Sequence, residues 1–387
     1  MIDEREGVDV TPTVDWLLHP VPRDEYLRDF WKKRHFLLRR NAPDHYGDLF
    51  SLARFDELLS GSDLDAGSVR VVRAGRADAA GDAGGSRRLE DLYDRYRRGS
   101  TMIMPSVHER WPPLRDLCRR LAYEFSARCR INAYLTPPMA QGFGVHRDSH
   151  DVFVLQVAGV KRWRVYEAGP EPERTGPCEE FDLRQGDLLY LPRGIPHEAA
   201  STRSASLHLS LGVFPITWAD VLLARCEAAV DGDAAFRDSL PFGFARTAGA
   251  RGETRQRMQE LTARLWRAVT PDALVDDAVD LALRTVGDRL NGHLLDLVSL
   301  ASLDHNTVVR RRPDLRWEIR RDAGTMVVAF HGKRLSIPSR HEEAFLRMAT
   351  GEPFTTGGLK GEARHEIKLS LVRRLLEEGF LTLSSPP

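Results

Sequence analysis

The chain has 387 residues, enough for two or three domains that each bury an apolar core, so a miniature fold held by disulfides is excluded. Basic and acidic residues balance at 56 each, so no global charge draws the protein to nucleic acid or an anionic membrane. The four cysteines, Cys118, Cys129, Cys178 and Cys226, form no CxxC pair and are too sparse for a disulfide framework or a cysteine-rich zinc site.

The start, MIDEREGVDV, carries acidic residues where a signal peptide would carry basic ones. No apolar run approaches the ~18 residues needed to span a bilayer, so a cytoplasmic protein with no membrane segment is expected. VDWLL and DEYLRDFWKKR place apolar residues at helical spacing, and HFLLRR is a short strand candidate. SVRVVRAG predicts another strand, running into a Gly-, Ala- and Asp-rich stretch at 76–88 that has little to bury and is expected as a mobile surface loop. The pattern is helical from LEDLYDRYRRG to CRRLAYEFSARC. Between 130 and 214 it changes to short β-branched and aromatic runs, RINAYLT, DVFVLQV, KRWRVYE, GDLLYLP and SLHLSLGVF, separated by Gly, Pro and charged turns. Several short strands at this spacing predict a sandwich or jelly-roll barrel.

After PITWADVL the chain turns helical to about residue 303, with apolar stripes that need a partner. A bundle or homodimer face is expected there, the stripes at 255–300 favouring a homodimer. The tail from about 313 reads as a hairpin (TMVVAF, KRLSIP), two helices (HEEAFLRMAT, RHEIKLSLVRRLLEEG) and a closing strand (FLTLSS), an order that resembles a winged-helix domain. The expected division is therefore 1–215, 216–312 and 313–387, in an α+β chain.

The chemistry concentrates in the barrel. His146 and Asp148 stand two residues apart, and His197 follows in GDLLYLPRGIPHEAA. On a strand, residues i and i+2 share a face, so HxD on a barrel strand aims an imidazole and a carboxylate at one point. A second imidazole, from His197, completes two nitrogens and one oxygen, a set that occupies one face of an octahedral iron(II) and leaves the other open for a bidentate oxo-acid and dioxygen. A structural zinc site would instead close with four protein ligands. With thirteen histidines and 56 acidic residues, about one or two HxD/E pairs arise by chance, and His341 with Glu343, in a predicted helix, is such a pair on a solvated face.

Polar residues on the neighbouring runs sharpen this reading. Asn132 in RINAYLT and Lys161 at the head of KRWRVYE are poor choices for a β core unless they meet a ligand. Lys161 is one of only six lysines in the chain, against fifty arginines. A buried ammonium needs an anion, which the distal carboxylate of 2-oxoglutarate would supply; the bland alternative is a turn residue with an exposed head. Tyr134, on the same strand face as Asn132, is a candidate pocket residue. His150 is expected to support the site or the bend after it, and His208 to be a satisfied core histidine.

Taken together, GFxxHxDxxDVFVLQxxGxKRWRVY, GDLLYxPRGxxHEA and SLHLSL resemble the ribosomal-oxygenase branch of the Jumonji-C proteins, within the cupin superfamily. The resemblance implies a double-stranded β-helix oxygenase domain, a helical dimerisation region and a winged-helix domain. It implies iron ligation by His146, Asp148 and His197, and 2-oxoglutarate contacts by Lys161 and Asn132. A serine that touches the co-substrate in some members corresponds to Gly212 here, with Ser210 two residues earlier on the same face. Arg147 replaces an aromatic common between the ligands, and the 76–88 stretch has no counterpart. The activity implied is hydroxylation of a histidine or arginine side chain in a ribosomal protein, another protein or a peptide, with dioxygen as oxidant.

Other readings remain open from sequence. One is a winged-helix regulator whose cupin domain senses a ligand, although residues 310–387 carry a net charge of only plus five, mild for binding nucleic acid. Others are a natural-product tailoring hydroxylase, an isomerase or hydrolase using zinc or manganese, and demethylation of an N-methyl group by the same opening chemistry.

Overall fold

The computed structural model describes residues 13–61, 67–73, 76–77, 88–167, 176–285, 290–313, 315–322, 324–359 and 365–384. Apart from Arg76, Ala77 and Arg88, the loop expected at 76–88 lies outside them. The chain divides into two compact units, Met1–Pro215 and Ile216–Pro387.

The first unit is built on two antiparallel sheets. The larger has eight strands in the order Phe36–Leu38, Leu188–Leu191, Asp151–Ala158, Ser206–Pro215, Ala127–Thr136, Thr101–Met104, Arg70–Arg73 and Arg76–Ala77. The smaller has three, ordered His197–Ser201, Val160–Tyr166 and Cys178–Arg184. These strands include all five β runs read from the sequence between 130 and 214.

Strand alternation sorts side chains between two cores. Along Asp151–Ala158, Phe153, Leu155 and Val157 enter a large cluster with Leu17, Tyr26, Leu117 and Tyr190. Val152 and Val154 enter a second cluster with Trp163, Val165, Phe181 and Leu183 from the small sheet. Because both faces are covered, this strand reads as a continuous apolar run rather than as alternation. Burying a side chain such as Phe153 stabilises the fold by about 1.5–3 kcal/mol. Gly159 makes the sharp reversal from the large sheet to the small one at φ +69°, where an added Cβ would lie 1.9 Å from the Ala205 carbonyl oxygen. Only glycine fits there, and the turn sets Lys161 two residues into the small sheet.

The second unit opens with the helix Trp218–Gly232, whose Thr217–Asp220 capping box satisfies its first turn. The helices Ala248–Ala268, Pro271–Thr285 and His293–Val298 follow. The three-stranded meander Trp317–Asp322, Thr325–Phe330 and Lys333–Pro338 and the helices Glu342–Met348 and His365–Glu377 come next. Val328, Phe330, Phe345, Leu375 and Phe380 form their core. The closing strand Leu381–Leu383 pairs with Val308–Arg311, a strand that local periodicity does not reveal. Among the described residues no helix is long and apolar enough to cross a membrane.

Candidate metal centre

His146 and His197 face each other in an isolated antiparallel bridge, each backbone N–H donating to the other's carbonyl at 3.0 and 2.9 Å. Residues so paired project their side chains to the same side, and the two rings lie 4.3 Å apart, centroid to centroid. Asp148 is held from elsewhere: its carbonyl accepts from Gly194 N at 2.8 Å, in the turn that precedes His197. Its Oδ2 comes within 3.6 Å of His197 Nε2. One ligand atom from each of the three residues lies within 4.8 Å of the others. His341 and Glu343 join no such group among the described residues, and Glu343 instead pairs with Arg347 at 2.7 Å.

His146 and Asp148 do not sit on a regular strand. His146 makes the single bridge, and the chain bends at Ser149 and His150 before the strand Asp151–Ala158 begins. Two separate tethers, the bridge to His197 and the Gly194 clamp, supply the convergence that strand alternation was expected to supply.

The hydrogen bonds also set the imidazole tautomers. His146 Nδ1 lies 2.9 Å from the Gly144 carbonyl, and His197 Nδ1 lies 3.0 Å from that of Ile195. A carbonyl only accepts, so each Nδ1 carries the proton and each Nε2 keeps its lone pair for a cation. Burial, and then the neighbouring His146, hold the His197 imidazole below its ordinary pKa, which favours the neutral ligand form.

The three residues open onto a cavity of about 220 Å³ also lined by Asn132, Tyr134, Lys161, Trp163, His208 and Ser210. Lys161 is only 4% exposed. Its ammonium donates to Thr136 Oγ1 at 3.2 Å and lies 3.5 Å from His208 Nδ1, and among the described residues it has no carboxylate partner. Burial alone pushes its pKa down from 10.5 to about 7. His208, buried beside this ammonium, is held well below the usual histidine range and stacks on Tyr134 at 4.8 Å. His208 is thus held neutral, and the Lys161 ammonium is left without a counter-charge in the cavity.

Asn132 Oδ1 accepts from Ser106 N at 2.9 Å, and the side chain also hydrogen-bonds the Tyr134 hydroxyl that lines the same cavity. Ser210 pairs in register with Asn132 and lines the same cavity. Gly212 does not line it, because the His150 ring fills the space a side chain would need, with Cδ2 2.7 Å from an added Cβ. His208, expected as a satisfied core histidine, is buried and lines this cavity. Its i+2 relation to Ser210 on one strand was the available signal, but a histidine in SLHLSL also fits an apolar core.

Residues 109–221 match the JmjC domain family model, a span containing all three members of the cluster. The chain is 31% identical over 294 residues to ribosomal oxygenase 1 of Danio rerio, covering 68% of this chain and 54% of that one. It is 32% identical over 227 residues to the bifunctional lysine-specific demethylase and histidyl-hydroxylase NO66 of Aedes aegypti, covering 54% of this chain and 35% of that one. It therefore spans about a third to half the length of these curated relatives. In fold it is similar to YcfD, a ribosomal oxygenase from Escherichia coli solved with cobalt and 2-oxoglutarate, at a TM-score of 0.53 and 20% identity, over 95% of this chain and 99% of that one. The family match lies over the His-Asp-His cluster: residues 109–221 carry a JmjC-type domain, and the wider chain is similar to proteins of the ribosomal-oxygenase branch.

Proposed function

We propose that this protein is an iron(II)- and 2-oxoglutarate-dependent oxygenase that hydroxylates a histidine or arginine side chain of a protein, such as a ribosomal protein, or of a peptide. The observation that carries the reading is Lys161. A lysine nine-tenths or more buried without a carboxylate partner costs free energy unless a ligand supplies the anion. It lies in the same cavity as a neutral-histidine and carboxylate set suited to iron(II). The residues present thus fit both groups. The similarity to YcfD, whose structures hold cobalt and 2-oxoglutarate, agrees with this pairing.

In this reading His146, Asp148 and His197 hold the metal, and Lys161 takes the distal carboxylate of 2-oxoglutarate. Asn132, Ser210 and Tyr134 complete the co-substrate pocket. When bound, the iron supplies activation of dioxygen at the expense of 2-oxoglutarate, which leaves as succinate and carbon dioxide. The apolar wall of Val152, Val154 and Trp163 excludes water, and the Nδ1 hydrogen bonds fix the imidazole planes before anything binds. The division into an oxygenase domain (1–215), a helical dimerisation region (216–312) and a winged-helix-like domain (313–387) is part of the same proposal, with a homodimer in the cytoplasm and no nucleic-acid partner.

The test is to add iron(II) and 2-oxoglutarate to metal-free protein without oxygen and look for the visible charge-transfer band, then admit air and measure succinate. Both signals should appear and be lost in His146→Ala and Lys161→Ala. Absence of the band in the unaltered protein would overturn the reading.

A further inference from the structure

The face of the large sheet that lines the cavity continues past the His-Asp-His cluster. On the strand Ala127–Thr136, Cys129, Ile131 and Ala133 enter the outer core, so Arg128, Arg130, Asn132 and Tyr134 share the opposite face. Two rungs formed with the strand Ser206–Pro215, Tyr134 opposite His208 and Asn132 opposite Ser210, line the cavity. The next two rungs outward pair Arg130 with Gly212 and Arg128 with Phe214.

These outer rungs are joined to the cavity wall. His150, which lines the cavity, lies over Gly212 and stacks on Phe214 with centroids 4.1 Å apart and planes 16° from parallel. The guanidinium carbons of Arg128 and Arg130 lie 4.8 and 5.8 Å from the centroid of the same phenyl ring. Both arginines are exposed, and among the described residues neither has an ion-pair partner. By contrast Arg162 and Arg164 on the small sheet bind Asp182 and Glu180 at 2.8 and 2.6 Å. Two like charges at i and i+2 on one strand face repel each other, and the shared ring offsets only part of that cost. A planar carboxylate meeting the guanidinium forks would complete the arrangement.

We propose that Arg128 and Arg130, floored by Phe214, are a carboxylate clamp that selects substrate segments bearing Asp or Glu near the residue offered to the metal cluster. The proposal rests on the oxygenase reading and names its substrate class. A strand rise of about 3.3 Å per residue sets Arg130 and Arg128 about 7 and 13 Å beyond Asn132, or two and four residues of extended peptide. With the target residue placed over the cavity at the level of Asn132, the acidic residue stands two to four positions from it. A lysine- or arginine-rich flank would be repelled.

The experiment uses the full chain with iron(II) and 2-oxoglutarate under anaerobic conditions, and two short fluorescein-labelled peptides. Each peptide has a central histidine; one carries glutamate at the positions two to four residues away on both sides, the other lysine. Fluorescence anisotropy should show the acidic peptide binding at least about tenfold tighter at roughly 50 mM salt, with the difference shrinking at high salt. Arg128→Glu/Arg130→Glu should reverse the preference, an outcome that mere misfolding cannot produce. Equal binding, no binding of either peptide, a preference that persists in the double variant, or displacement of the acidic peptide by a single-stranded oligonucleotide in preference to unlabelled acidic peptide would overturn the clamp. The charge-transfer band of the unaltered protein reports on the oxygenase reading separately: a band without an acidic preference sinks the clamp alone, and no band sinks both.

Discussion

His146 and His197 are joined by two reciprocal backbone hydrogen bonds in a bridge that extends no further, so two imidazoles from distant parts of the sequence converge with little regular structure between them. The bridge places the rings, while the carbonyls of Gly144 and Ile195 set their tautomers. Metal affinity should therefore depend steeply on every member of the cluster. His197→Ala is expected to weaken cobalt(II) binding by at least about a hundredfold, because the remaining pair no longer caps one face of the ion. Titration followed by the visible d–d absorption checks this. Retention of near-native affinity would show that the metal sits elsewhere.

Lys161 links pH to co-substrate binding. In the free protein its pKa is pushed down to about 7, and the groups beside it, Thr136 Oγ1 and His208 Nδ1, offer no negative charge. A bound dicarboxylate stabilises the ammonium and raises that pKa. Binding above pH 7 must then take up a proton, and affinity for 2-oxoglutarate under anaerobic conditions should fall by up to tenfold per pH unit from about pH 7 upward. Calorimetry at pH 8 in two buffers of different ionisation enthalpy should report about one proton taken up. Uptake of none would mean that the ammonium is not the carboxylate partner.

The same lysine predicts a conflict between stability and function. Its folded-state pKa is depressed below the unfolded value of 10.5, so the unfolded chain binds more protons between about pH 7 and 10.5. Its contribution to stability therefore rises with pH through that window, and the full cost of burying the charge is felt below pH 7. Lys161→Met should raise the melting temperature most at pH 6 and least near pH 10, while abolishing 2-oxoglutarate binding. A variant that is destabilised at pH 6 would show that the ammonium already has a good partner in the protein.

Gly212→Ala tests the wall between the cavity and the arginine pair. Its Cβ would lie 2.7 Å from His150 Cδ2 and 3.0 Å from Phe214 Cε2, so the stacked rings must separate. A cost of about 1–3 kcal/mol is expected, as for other overpacked sites. Denaturant unfolding measures it, and an unchanged midpoint would show that the rings yield freely.

The barrel strands were legible because each is a short β-branched run bounded by turns, and Lys161 and Asn132 stood out as polar residues where a core would reject them. The three cluster residues were legible as types at a spacing, but the physical route differed. His146 and Asp148 converge through tethers to His197 and Gly194, contacts some fifty residues away in sequence that a two-residue period cannot reveal. Long-range pairing likewise hid the strand Val308–Arg311, whose partner Leu381–Leu383 closes the described part of that unit far along the sequence. His208 was obscured for a different reason: burial is common to a core histidine and a pocket histidine, and only its contact with Lys161 separates them.

The helix Ala248–Ala268 supplies the last prediction. None of its residues is buried within the chain, yet Met258 and Trp266 are 48% and 63% exposed, with Leu261 and Leu265 between them at the three- and four-residue spacing of one face. Elsewhere in the same unit Trp218 and Phe242 are also largely open to solvent. An isolated monomer gains nothing from exposing so much large apolar surface, whereas a second copy of the chain would cover it. Light scattering should therefore give the mass of a dimer, and Met258→Glu/Trp266→Glu should shift it to a monomer, since a buried carboxylate without a partner costs more than the apolar contact it replaces. A strictly monomeric unaltered protein at micromolar concentration would remove the homodimer from the proposal and leave the helix to some other partner.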